Sequence, residues 1–218
     1  MKKIVLTIVI AISMIACKDN KGKVQVSDAE KVDSSINADT ADIEAFSVIN
    51  NMSTLTWKGF KPTGSHNGTV GISSGNINVA NNKLAGGKVI MDMNSIVCLD
   101  MSADDEFNAK LVGHLKAADF FDVAQFPTAL FEITDVEYGE EEKINVSGNL
   151  TVKGITKNIT IPAIFGTENG FVTLKSDVFK VDRTEFGIQY KSTKLLDIIK
   201  DKSIDDLMEM SFNVLAEK

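Results

Sequence analysis

His66, Cys98, His114 and Arg183 are the residues of this chain whose types could do chemistry, and their surroundings argue for binding rather than catalysis. His66 lies in Gly64-Ser65-His66-Asn67-Gly68, where flanking glycines let the backbone turn sharply. There an imidazole can hydrogen-bond a ligand head group or tie down a loop. His114 sits close to one helical turn from Leu111 and beside Leu115, the setting of a satisfied interior or edge histidine. Two histidines with no matching carboxylate or thiolate spacing make a weak case for zinc, so no metal is expected. Cys98 lies in the apolar run Ile96-Val97-Cys98-Leu99, with no histidine or basic residue beside it in sequence to lower its pKa, so a packed, inert thiol is expected. Arg183 can neutralise a phosphate or pair internally with Asp182 or Glu185; the internal pair is preferred. The acidic pairs Asp104-Asp105 and Asp205-Asp206 read as solvated helix-start or turn residues, not as a general acid and base. No G-x-S-x-G elbow, H-E-x-x-H or Cys-His arrangement is present, so neither catalysis nor a cofactor is expected.

The remaining reactive residue is Cys17. Met1-Lys2-Lys3 is a short basic start, Ile4 to Ile12 is an apolar run too short to span a bilayer, and Ser13-Met14-Ile15-Ala16-Cys17 resembles a bacterial lipobox. Residues 1–16 are therefore expected to be an export signal and Cys17 the acyl acceptor, with Met14 standing where leucine is usual. Two or more acyl chains would anchor the protein stably to a membrane. Export implies the bacterial cell envelope, facing the periplasm or the exterior. With Cys17 acylated, Cys98 has no partner for a disulfide, so the fold must rest on its core. Loss of Lys2 and Lys3 takes the net charge from −7 to −9, which argues against a nucleic-acid partner.

Residues 17–41 are polar, lack aromatics and carry only isolated valines and Ile36, so they read as a flexible tether holding the domain off the membrane. The folded domain is expected over 42–218. Within it, apolar and polar residues alternate with period two, as in Leu55/Trp57, Val89/Met91/Met93, Ile144/Val146, Leu150/Val152, Ile159/Ile161 and Met208/Met210/Phe212/Val214. One wet and one apolar face per strand is the mark of an antiparallel sheet. Asn169-Gly170 is a strong hairpin turn, and Asn81-Asn82 and Lys153-Gly154 read as turns of the same sort. The exception is a helix predicted from Asp104 to Ala117, with Phe107, Leu111 and Leu115 at helical spacing. A second, weaker helical candidate is Leu195 to Lys200. Many short strands with one inserted helix point to an all-β barrel or sandwich.

From His114 to Phe131 the chain crowds Phe120, Phe121, Phe126 and Phe131 around a Pro127 corner, enough aromatic surface to fill a core or line an apolar cavity. This block, read as a helix ending in Asp119-Phe120-Phe121-Asp122 and then Phe126-Pro127 opening a strand, resembles the YceI-like family of secreted bacterial proteins. So, in the same order along the chain, do Gly64–Gly68, Leu150-Thr151-Val152-Lys153-Gly154-Ile155-Thr156-Lys157 and Asp182-Arg183-Thr184-Glu185-Phe186-Gly187-Ile188. The resemblance implies a lipocalin-like antiparallel barrel of about eight strands, a size whose interior holds side chains or one slender ligand. It implies further that the ligand is a long-chain isoprenoid or related lipid, and that the protein forms homodimers. On that reading the ligand-binding residues are Trp57, Phe60, His66, Phe107, Leu111, His114, Phe120, Phe121, Phe126, Phe131, Phe179, Arg183 and Phe186. Two alternatives stay open: a solid barrel serving as an interaction module, and an enzyme acting on lipid.

Overall fold

The computed structural model describes residues 21–32, 42–194 and 202–218; the predicted helix at Leu195–Lys200, the expected export signal and the expected acyl acceptor Cys17 lie outside them. Among the described residues eleven strands run in chain order: β1 (Val26–Asp28), β2 (Glu44–Val48), β3 (Thr54–Lys61), β4 (Gly64–Ala80), β5 (Lys83–Cys98), β6 (Thr128–Tyr138), β7 (Lys143–Val152), β8 (Ile155–Glu168), β9 (Phe171–Ser176), β10 (Phe179–Asp182) and β11 (Leu207–Glu217). They close into a ring. β4 to β8 pair in sequence order, β8 pairs β9, β9 and β10 share one edge of β11, and β2 and β3 share its other edge before returning to β4. Because β2/β3 and β9/β10 each occupy one place around the wall, the ring has the circumference of the expected small barrel.

Period-two patterning decides which side chains enter. Val89, Met91 and Met93 of β5, Ile144 and Val146 of β7, Ile159, Ile161 and Phe165 of β8, and Val172 and Leu174 of β9 are all buried. The three turns read from the sequence are two-residue hairpins with both central residues at positive φ: Asn81 53° and Asn82 59°, Lys153 51° and Gly154 74°, Asn169 51° and Gly170 82°. Gly154 is constrained twice, since a Cβ there would also meet the Phe126 ring at 2.7 Å. β4 and β5, at 17 and 16 residues, curve around the barrel through three register shifts in their shared ladder.

The helix α1 (Glu106–Lys116) begins two residues later than expected, with the Asp105 carboxylate capping it by accepting from the Phe107 N–H at 2.8 Å. The stripe Phe107/Leu111/Leu115 does not face inward as a whole. Steps of four residues rotate about 40° per step around a helix of 3.6 residues per turn, so Phe107 swings outward and is 63% exposed, with the Lys110 ammonium over its ring. Asn108 is buried instead, its amide donating to the carbonyls of Cys98, Met101 and Ser102.

The expected tether is corrected over residues 21–32. β9 covers only Ala163–Glu168 of β8, which leaves the start of β8 with an open edge facing β10. Gly22 to Asp28 fills that seam. Val26–Asp28 pairs antiparallel with Lys157–Ile159, the Lys180 N–H donates to the Gly22 carbonyl at 2.7 Å, and the Val24 N–H donates to the Lys180 carbonyl at 3.0 Å. Val24 and Val26 stand two apart, at strand spacing, and Val24 is buried. An unpaired edge beside an apolar pair is reason enough for the segment to dock. A two-way bond between the Glu30 backbone and the Asn149 side chain extends the seam (2.9 and 2.7 Å).

Candidate functional site: an apolar barrel interior under a polar mouth

Two internal compartments lie along the barrel axis. The upper holds about 70 Å³ and the lower about 60 Å³, and Leu55, Met91, Leu150 and Met210 belong to both linings. Four methionines, Met91, Met93, Met208 and Met210, line the upper compartment. Each came from an alternating strand face, and each has an unbranched side chain that can change rotamer at low cost. Among the described residues, the only charged side chain in either lining is that of Arg183. As the interior stands it is a slit, well below the roughly 300–1,000 Å³ of a typical ligand cavity.

Above it opens a mouth of about 390 Å³, which shares Trp57, Leu115, Arg183 and Met208 with the upper compartment. Its rim is polar, carrying Lys61, His66, His114, Tyr190, Lys191 and Lys202. His114 Nε2 lies 3.0 Å from Asp119 Oδ2, and its ring stands edge-on to Tyr190 and Phe120. Trp57 separates mouth from interior. It is 6% exposed, and its indole N–H is the one buried side-chain polar group among the described residues without a hydrogen-bond partner. Leaving such a donor unmet costs about 1–3 kcal/mol, a cost that an acceptor atom on a ligand would remove.

Arg183 sits on a 3-10 turn (Arg183–Phe186) after β10 and is buried. It pairs with neither neighbour named from the sequence. Its Nη2 contacts Asp206 Oδ1 at 3.2 Å, while Nε, Nη1 and Nη2 donate to the carbonyls of Asp205, Ile188 and Ile204. Burial lowers the guanidinium pKa, against the raising pull of Asp206, Asp182 and Asp205. Asp206, read as a solvated turn residue, is therefore buried as the counter-ion, and it also accepts from Thr193. Asp182 turns to Lys194 at 2.6 Å. Phe120 packs 5.7 Å from the guanidinium carbon.

A second polar cluster borders the mouth. The Asp100 carboxylate receives the Asn67 N–H at 2.8 Å, lies 2.9 Å from His66 Nδ1 and accepts from the Cys98 thiol at 3.1 Å. Burial pushes the Asp100 carboxyl up, but donation from Asn67, Cys98 and His66 outweighs it and holds the pKa at about 2. Burial and the bond to Asp100 push the Cys98 thiol up, so the thiol is packed, as expected from the sequence, and protonated at neutral pH. A carboxyl depressed in the fold stabilises it above the unfolded value near 3.8, and that contribution fades as pH falls through about 2. Asp100→Asn should therefore flatten the decline of the urea midpoint across this acid window. Parallel slopes in variant and parent would show that Asp100 gains nothing from its donors.

Of the thirteen residues expected to bind ligand, Trp57, Phe121, Arg183 and Phe186 line the upper compartment. Phe131 and Phe179 line the lower, and Phe60, His66, Leu111, His114 and Phe120 line the mouth. Phe107 and Phe126 stand outside all three. Phe107 is turned outward on α1, and Phe126 packs on the Lys153-Gly154 hairpin. Absent from that expectation were Leu55, Val70 and the four methionines, although the methionines were visible as inward positions of alternating strands. Also absent was Asp100, two residues from Cys98 in sequence, whose meeting with His66 is set by strand pairing.

The YceI-like domain model matches residues 15–216. A protein of Azotobacter vinelandii named UPF0312 protein is 34% identical over 98 residues, 43% of this chain and 51% of that one. The protein YceI of Salmonella arizonae is 37% identical over 67 residues, 31% of this chain and 35% of its own length. The matches thus span about half or less of these curated relatives. Among solved structures, BcnA of Burkholderia cenocepacia superposes with a TM-score of 0.62 at 19% identity, over 78% of this chain and 99% of that one. A polyisoprenoid binding domain from Saccharophagus degradans gives 0.57 at 13% identity, over 79% and 97%. At these identities the structural likeness is one of fold. With nearly its whole length matched by the domain model, the chain belongs to the YceI-like family.

Proposed function

We propose that this protein binds and carries a long-chain amphiphilic lipid, isoprenoid or quinone-like, without catalysis, from an acyl anchor at Cys17 on a bacterial membrane. The observation that carries the reading is the coaxial pair of methionine-lined apolar compartments beneath a polar mouth, with an unmet Trp57 N–H at the junction. Burial of hydrocarbon gains about 0.8 kcal/mol per methylene, so a long chain needs few polar contacts. The family and the polyisoprenoid binding domain of similar fold support the choice of ligand. Because the interior is a slit, ligand must enter by displacing methionine rotamers. The narrowness also favours a second reading, a solid barrel acting as an interaction module.

Native mass spectrometry of the full chain carrying Cys17→Ser, followed by organic extraction, separates the two. A discrete hydrophobic adduct supports the carrier; a bare mass that refuses added isoprenoids and quinones leaves the solid barrel. Trp57 is the one tryptophan in the sequence, so its fluorescence should follow loading. Trp57→Phe is expected to weaken binding of a lipid with a carbonyl or phosphate head roughly fivefold, about one hydrogen bond, and to spare an unsubstituted hydrocarbon. Loss of fatty-acid labelling in Cys17→Ser cells tests the anchor.

A further inference from the structure

We propose that His66, Cys98 and Asp100 form a binding site for a zinc-class divalent transition-metal ion at the rim of the barrel mouth. The three residues come from neighbouring stretches of wall. Gly68 of β4 pairs with Cys98 at the end of β5, the Leu99 N–H donates to the Asn67 carbonyl at 2.8 Å, and the Asn67 N–H fixes Asp100. A Cβ at position 68 would meet the Val97 carbonyl oxygen at 1.8 Å, so the close approach of the two strands at this point requires glycine. The Asn108 amide holds the Cys98 carbonyl from α1. The backbone under the cluster is therefore fixed from both sides.

The ligand atoms are already gathered. A nitrogen of His66, Cys98 Sγ and an Asp100 oxygen all lie within 4.8 Å of one another. His66 Nδ1 is 2.9 Å and Cys98 Sγ 3.1 Å from the two Asp100 oxygens. In a tetrahedral site with bonds of about 2.0–2.3 Å, ligand atoms stand roughly 3.4–3.7 Å apart, so small side-chain adjustments open the cluster around an ion. The donor set selects the ion class. One thiolate and one imidazole favour zinc, cobalt or copper over calcium and magnesium, which take oxygen ligands. Thiolate and carboxylate together balance a charge of +2. The side chains of His66 and Asp100 are each 27% exposed, which gives the ion a path from solvent and leaves a fourth position for water. On binding, the Cys98 S–H bond breaks, an S–metal bond forms and the proton passes to solvent; no electron is transferred.

The full chain carrying Cys17→Ser has Cys98 as its sole thiol, and Co(II) is the probe. Titration should give one equivalent bound, with a near-ultraviolet thiolate-to-cobalt charge-transfer band that Zn(II) abolishes. Cys98→Ser should remove the band. His66→Gln and Asp100→Asn, both at partly exposed positions, should keep the circular dichroism of the parent and weaken Co(II) binding at least about tenfold. Saturation without a thiolate band overturns the site. So does a band of unchanged affinity in both partly exposed variants, which would show the thiol binding metal without its neighbours. Because only His66 is shared with the mouth lining, failure here leaves the lipid reading standing.

Discussion

Arg183→Met is expected to cost about 3–5 kcal/mol of folding stability, the usual result of stranding one member of a buried ion pair. The side chains of Arg183 and Asp206 are 1% and 7% exposed, and the guanidinium also supplies donors to the carbonyls of Ile188, Ile204 and Asp205. Methionine restores much of the volume and none of the donors, so the Asp206 charge stays buried with, among the described residues, the Thr193 hydroxyl and the charge of Lys194 to meet it. Urea denaturation of parent and variant measures the loss. Adding Asp206→Leu to Arg183→Met should recover a large part of it, because the stranded charge, rather than the missing attraction, dominates. A single variant within about 1 kcal/mol of the parent would mean that the mouth relaxes to let water reach Asp206, the behaviour of a surface pair.

The largest effect on binding should come from filling the upper compartment. Ala129 is buried and faces that space between mouth and lower compartment. Ala129→Leu adds three carbons to a volume of about 70 Å³, and each ligand methylene excluded forfeits about 0.8 kcal/mol. Lipid affinity should fall by roughly 2 kcal/mol, about thirtyfold, while the empty protein keeps its stability or gains up to about 2 kcal/mol from the filled cavity. Titration of an isoprenoid followed by Trp57 fluorescence reads the first quantity and thermal unfolding the second. Lower stability with unchanged affinity would place the ligand elsewhere than the barrel axis.

How much of this was legible in the sequence depends on the range of the signal. Alternation and two-residue turns are local, so Asn81-Asn82, Lys153-Gly154 and Asn169-Gly170 could be read directly, and the inward methionines with them. The helix was legible from its polar, acidic start and its apolar spacing, but its first residue was not, since Asp105, expected within the first turn, is the cap. Phe107 was misassigned because spacing of four residues drifts around a helix, and only packing on the barrel shows that Asn108 takes the inward place. Pairing partners brought together by closure were not legible. Arg183 passes over Asp182 and Glu185 beside it for Asp206, and His66 meets Asp100 through the β4–β5 ladder. The Val24/Val26 alternation was present but too short to outweigh its polar surroundings, since the edge it completes belongs to residues far along the chain.

That docked segment also fixes an order of events during synthesis. Gly22 to Asp28 leaves the ribosome before any other strand of the wall, yet its partners are Lys157–Ile159 and Lys180. It has no groove to enter until β8 and β10 have been made and the ring has curled far enough to bring them side by side. Contacts so distant in sequence repay their closure entropy late. The earliest-made piece of the wall is thus the last laid into it.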